Sequence, residues 1–225
     1  MKGSVDKMKK YDIIFFDLDG TIIDSGEGVT NSVKYSLKKL GLPEMTDSEL
    51  RRFIGPPLVY SYAEYAGVNK ADIETAIKYY REYYTEKGIF EGYVYENIEK
   101  MLQILKENGK KLIVATSKPE KFARAILERA NLSCYFDYIA GATLDEKTRV
   151  TKIDVIEYAL KEAQIKDTSS VLMVGDRMYD IEGAKHFNID VMTVLYGYGS
   201  LEEFIEYKAD YIAESPLDVA RAITE

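Results

Sequence analysis

A chain of 225 residues with a formal charge of −8 is long enough for one large or two modest domains, and its acidic balance disfavours nonspecific binding to nucleic acid or an anionic membrane. No apolar run approaches a membrane span, and the charged segment 1–10 shows no secretory pattern, so a cytoplasmic protein is expected. A single cysteine and a single histidine exclude a disulfide framework and a His-based zinc site, which leaves polar chemistry to Asp, Thr, Ser, Lys and Arg.

Residues 1–9 read as a flexible leader. A buried strand is predicted at 12–16 and ends where Asp17-Leu18-Asp19-Gly20-Thr21 begins. Residues two apart on extended backbone face the same way, so Asp17 and Asp19 should project together at the strand's C-terminal edge. Two like charges held that close are costly unless a cation, a proton or chemistry accounts for them. Gly20 opens the turn behind them. From 25 to 92 no strand is predicted. Helical patterns run instead over 28–40, 47–54, 58–66 and 70–87, an insertion too large for a crossover, expected as a small bundle above the first strand. Tyr60, Tyr62, Tyr65, Tyr79, Tyr80, Tyr83 and Tyr84 recur at helical spacing and read as its core, and Gly26, Gly28, Gly88 and Gly92 as flanking hinges.

Beyond 92 strands and helices alternate. Helix 95–108 stops at Asn108-Gly109, strand 111–115 follows, and helix 119–131 starts at Pro119. Strand 138–141, helix 151–163, strand 171–174, helix 179–187, strand 191–195, helix 201–207 and a weak strand 211–213 come next. Helix 216–224 is last, with Ser215 as N-cap and Pro216 at the first position. Cys134 is expected to be a small packed hydrophobe and His186 to end a helix. The alternation predicts an α/β fold, a doubly wound parallel sheet covered on both sides. The domains expected are 10–24 with 93–225 as the core, and 25–92 as the insertion.

Three predicted strands end in polar residues: Asp17 to Thr21, then Thr116-Ser117-Lys118-Pro119, then Gly175-Asp176-Arg177 with Asp180 a turn later. If the first strand lies between the other two, Asp17, Thr116 and Asp176 converge at the sheet's carboxyl edge, where such folds bind ligands. Phosphoryl transfer needs such a point. Carboxylates from Asp17, Asp19 and Asp176 suit Mg²⁺, while Thr116 and a lysine can donate to phosphoryl oxygens. A carboxylate can itself be the nucleophile. Arg177 is expected to pair with Asp176 or Asp180.

Asp17-x-Asp19-Gly20-Thr21, Thr116 after an apolar strand, and Gly175-Asp176 followed by Asp180 together resemble the haloacid dehalogenase-like phosphatase superfamily over nearly the whole chain. The insertion resembles the helical cap of its phosphoglycolate phosphatase and β-phosphoglucomutase branch, and Gly55-Pro56-Pro57-Leu58 resembles a cap loop of that group. The resemblance implies Asp17 as nucleophile and Asp19 as general acid, then base. Thr116 and Ser117 bind the phosphoryl group, and Mg²⁺ lies on Asp17, the Asp19 carbonyl and Asp176, with Asp180 nearby. The family's lysine often precedes a proline, and this chain has no such pair; Lys152 stands at the matching distance, with Lys147 second. Arg51 or Arg52, with Gly55 and Pro56, would meet substrate from the cap. The implied function is a Mg²⁺-dependent phosphomonoesterase working through an aspartyl-phosphate on a small phosphorylated metabolite of phosphoglycolate type, as a monomer or weak homodimer. A 5'-nucleotidase, a sugar-phosphate phosphatase or a phosphomutase are the enzyme alternatives. A phosphate-sensing switch is the non-enzyme one, disfavoured by the second acid at Asp19 and by the insertion.

Overall fold

The computed structural model describes residues 8–225, so the first seven residues of the expected leader lie outside the described range. Strand β1 (Ile13–Phe16) sits near the middle of a six-stranded sheet. On one side it pairs in parallel with β4 (Lys111–Pro119), which pairs with β5 (Tyr138–Ala142). On the other it pairs with β6 (Val171–Gly175), followed by β7 (Asp190–Val194) and β8 (Tyr211–Ala213). Phe16 is level with both Val114 and Val174. That register brings Asp17, Thr116 and Asp176 to one edge within a residue of each other.

Period-2 alternation divides the strands between two cores. Ile14 and Phe16, with Leu112 and Val114, pack against α5 (Ile98–Glu107), α6 (Glu120–Arg129) and α10 (Pro216–Thr224). Phe15, Ile113 and Met173 face α7 (Lys152–Glu162), α8 (Met178–His186) and α9 (Leu201–Glu206). The sheet is therefore doubly wound, as the sequence predicts. His186 does end a helix.

The insertion has its own core. Helices α1 (Gly26–Leu40), α2 (Asp47–Arg51), α3 (Leu58–Glu64) and α4 (Ile73–Glu86) bury Val33, Leu37, Leu50, Phe53, Tyr62 and Tyr80 together. Tyr84 joins them and packs edge-on against Phe122 of α6, which ties the bundle to the sheet's helices. Of the predicted tyrosine core, Tyr62, Tyr80 and Tyr84 are buried, while Tyr60 is exposed. Gly28 is required by a close approach, since a Cβ there would lie 2.0 Å from the Gly88 carbonyl oxygen. A short antiparallel pair, β2 (Ile23–Asp24) with β3 (Tyr93–Val94), closes the two ends of the insertion; at two residues each, neither strand has a periodicity to read.

The structure corrects several boundaries. The helix predicted at 47–54 stops at Arg51, because Phe53 and Ile54 turn into the insertion's core. Strand β4 runs on to Pro119, with an irregularity after Thr116. Cys134 is not packed but exposed, since its neighbours Tyr135 and Phe136 are the residues that lean on the core. Among the described residues no helix is long and apolar enough to cross a membrane.

Candidate active site

The β1 edge holds a buried acidic cluster. Asp17, Asp176 and Asp180 each present one carboxylate oxygen within 4.8 Å of the others. Their positions follow from local structure. Asp17 continues β1, its backbone N–H donating to the Val174 carbonyl at 2.9 Å. Asp176 follows β6 and accepts the Tyr198 N–H at 2.8 Å. Asp180, in the first turn of α8, accepts the N–H groups of Asp176 and Arg177 at 3.1 Å each, an N-terminal position where a carboxylate is favoured. Gly20 has φ 81°, and a Cβ there would fall 2.0 Å from Asp176 Oδ2, so the turn and the carboxylate's approach both need glycine. Thr21 is buried, with its hydroxyl 3.4 Å from Asp176 Oδ1.

Lys152 is the cation of the cluster. It opens α7 immediately after the capping residue Thr151. Its Nζ lies 2.9 Å from Asp17 Oδ1 and 2.7 Å from Asp180 Oδ1, and donates to the Ala115 carbonyl at 3.1 Å. Burial alone would lower this ammonium, but Asp17 and Asp180 outweigh it and hold it above the ordinary lysine value. The two carboxylates explain a lysine at a helix N-terminus. Lys147, the second candidate, is exposed, and its backbone serves Asp145.

Three buried carboxylates against one ammonium leave an excess of negative charge away from bulk solvent. Burial, countered by Lys152 and reinforced by Asp180 and Asp19, pushes the Asp17 carboxyl up to about 6. Burial, then Asp180 and Asp17, pushes Asp176 well above the carboxylate range. An oxygen-only, over-negative cluster of this kind fits a hard divalent cation. A stability test follows. In chelator, Asp17→Asn will raise the melting temperature by a few degrees at pH 7, and the gain will shrink towards zero near pH 3. The folded value of about 6 lies above the ordinary 3.8, so ionisation opposes the fold at neutral pH and ceases to do so as pH falls below both. An equal gain at both pH values in thermal melts would contradict this.

Asp19 stands beside the cluster, not in it. Its Oδ2 is paired with Lys118 Nζ at 2.9 Å, and its Oδ1 is buried with no hydrogen-bond partner among the described residues. Lys118 also lies over the Tyr84 ring of α4, 4.9 Å from the centroid. Asp17, Asp19, Thr116 and Ser117 line a cavity of about 70 Å³ whose roof includes Gly55 and Pro56. Thr116 is buried, and its hydroxyl accepts the Lys118 N–H at 3.2 Å.

Other expected residues lie elsewhere. Neither Arg51 nor Arg52 borders this cavity. Arg52 stacks 4.0 Å over Tyr65, and Arg51 borders a separate recess with Asp24 and Asp47. Burial of Phe53 and Ile54 fixes the end of α2 so that Arg51 and the capping Arg52 lie away from the cavity. The Arg177 guanidinium pairs with neither Asp176 nor Asp180; it reaches Glu203 at 3.1 Å and the Ile54 carbonyl at 3.1 Å. The cavity is instead completed by Arg81 of α4 and by Glu146 and Arg149 from the loop after β5, for which the linear sequence offers no signal.

Comparison with known proteins agrees with this geometry. Residues 14–194 match the family described as haloacid dehalogenase-like hydrolase. The chain is 38% identical to a 5'-nucleotidase of Pseudomonas aeruginosa, over 88% of this chain and 89% of that one. It is 31% identical to a phosphoglycolate phosphatase of Aquifex aeolicus, over 93% and 95%. The crystal structure of a predicted phosphatase from Clostridium acetobutylicum superposes with a TM-score of 0.91 at 45% identity, covering 96% of this chain and 99% of that one. With the doubly wound sheet, the inserted helices and the acidic edge, these matches mean that the chain belongs to the haloacid dehalogenase-like hydrolase family.

Proposed function

We propose that the protein is a Mg²⁺-dependent phosphomonoesterase that acts on a small phosphorylated metabolite through an aspartyl-phosphate. The observation that carries this reading is the convergence of Asp17, Asp176 and Asp180 at the carboxyl edge of the sheet, with Lys152 paired to Asp17 and Asp180. A bound Mg²⁺, held by the Asp17 side chain, the Asp19 carbonyl and Asp176, with Asp180 beside them, would neutralise phosphoryl oxygens and favour an ionised Asp17.

The residues divide the work. Asp17 attacks phosphorus as the bond to the leaving oxygen breaks. Asp19 gives that oxygen a proton. Its Oδ2 is pinned by Lys118, while the partnerless Oδ1 is the oxygen available to the leaving group. Asp19 then takes a proton from the water that cleaves the aspartyl-phosphate, which releases phosphate and restores Asp17. Thr116, Ser117 and Lys152 donate to the phosphoryl oxygens as charge develops there. In this scheme residues 25–92 are a cap domain that selects substrate, and 10–24 with 93–225 form the catalytic domain.

The cavity of about 70 Å³ favours a compact substrate of phosphoglycolate type. Pockets for larger ligands start at about 300 Å³. The Pseudomonas relative is named for nucleotide hydrolysis, and a larger recess of about 570 Å³ that shares Gly55, Pro57, Ser117, Glu146 and Val150 with this cavity keeps a bulkier leaving group as the second reading. The metal dependence is tested with p-nitrophenyl phosphate. EDTA will reduce turnover to background, Mg²⁺ will restore it, and Ca²⁺ will inhibit by binding with looser geometry. Unchanged turnover in chelator would refute the metal-assisted scheme.

A further inference from the structure

We propose that Arg81 is the receptor for a carboxylate on the substrate, and that Glu146 stands in for that carboxylate when no substrate is bound. The inference rests on the phosphatase reading and names the chemical class its cavity selects: a short phosphomonoester with a carboxylate a few atoms from the ester oxygen.

Arg81 and Glu146 both line the cavity that Asp17 and Thr116 line. Arg81 belongs to α4 of the insertion, and Glu146 to the loop between β5 and α7. Arg81 Nη2 lies 2.5 Å from Glu146 Oε1, with the two side chains 26% and 16% exposed. The other cations of the cavity are committed. Lys118 holds Asp19. Arg149 donates to the Gly141 carbonyl and to Glu120, and lies over the Tyr158 ring. Among the described residues, Glu146 is the hydrogen-bonding partner found for the Arg81 guanidinium.

Glu146 is held in an unfavourable way. Its φ is 55°, in the left-handed region that side chains other than glycine and asparagine seldom enter. Burial raises its carboxyl despite the nearby Arg81, so the carboxylate is incompletely compensated where it sits. Strain of this kind persists where the surroundings impose it and is concentrated at ligand clamps. A substrate carboxylate that displaced Glu146 would keep the guanidinium paired, in the two-point geometry that arginine and carboxylate favour. Glu146 would return to water and its backbone would be free to relax. The phosphoryl end of the same molecule would lie against Asp17. The closed position of the insertion would then depend on an anion supplied from outside.

The test compares 2-phosphoglycolate with 2-hydroxyethyl phosphate, which has the same length and a neutral end. In the wild type kcat/KM should favour phosphoglycolate by about tenfold or more, the scale of a charged hydrogen bond. In Arg81→Gln that preference should collapse, mainly through a higher KM for phosphoglycolate, and Arg81→Lys should restore part of it. Glu146→Gln removes the competing charge and should lower the KM for phosphoglycolate, the opposite direction to Arg81→Gln. Circular dichroism and thermal melts establish that each variant is folded. Two results would overturn the proposal: the same preference in Arg81→Gln as in the wild type, or equal losses on both esters in Arg81→Gln and Glu146→Gln, which would make the pair a structural clasp. Hydrolysis of p-nitrophenyl phosphate without preference between the two esters would reject Arg81 as receptor and leave the phosphatase reading standing. Absence of any hydrolysis would reject both.

Discussion

Asp17→Asn will leave the protein folded and reduce turnover of p-nitrophenyl phosphate by roughly 10⁴-fold or more, the scale seen when a catalytic unit loses its nucleophile. The substitution is close to isosteric, and the asparagine carbonyl can still accept the Leu18 N–H that Asp17 Oδ1 accepts at 2.7 Å. Lys152 keeps Asp180 and the Ala115 carbonyl, so it is not left unpaired. What disappears is the negative oxygen that the proposed mechanism bonds to phosphorus. Steady-state rates, with circular dichroism as a control for folding, measure the effect. Beryllium fluoride should protect the wild type against thermal unfolding and fail to protect the variant. Activity above about a tenth of the wild type would remove Asp17 from the role of nucleophile.

Lys152→Met will damage both stability and catalysis. Methionine fills similar space but leaves Asp17, Asp176 and Asp180 buried together without their ammonium. Removing one member of a buried, hydrogen-bonded ion pair costs about 3–5 kcal/mol, far more than an exposed pair would. Turnover should fall by about 10²–10³-fold through loss of a donor to the phosphoryl oxygens. Urea unfolding separates the two effects. In chelator the midpoint should drop sharply, and Mg²⁺ should recover part of it, because a cation on the carboxylates offsets the charge that Lys152 supplied. A midpoint within error of the wild type in chelator would mean that the cluster is not the strained, over-negative centre described here.

The acidic grouping at the β1 edge was legible in the residues themselves. Asp17, Asp19, Gly20 and Thr21 are adjacent in sequence, and the strand they follow is marked by its apolar run. Gly175, Asp176 and Asp180 span one strand end and one helical turn. Parallel alternation then leaves few topologies, and the one observed seats β1 between β4 and β6, where these ends meet. Lys152 was picked out by the family resemblance, from its distance upstream of Asp176 and with Lys147 second, and the structure sets it at the start of α7 against Asp17 and Asp180.

The sequence by itself thus determined the doubly wound sheet, the inserted helices and the residues grouped at the β1 edge, because each is written in local periodicity or in a motif a few residues long. Tertiary structure alone decided what faces that edge. Arg81 meets Glu146 across 65 positions of chain, and Lys118 holds Asp19 across 99. Those meetings depend on how α4 lies against α6 and on a left-handed residue at 146. Arg51 and Arg52 stood beside the expected cap loop yet turned away, because Phe53 and Ile54 needed burial more than the arginines needed the cavity. Cys134 was left outside by larger neighbours for the same reason. Burial is settled by competition among all the apolar groups of a core, and that competition has no period along the chain.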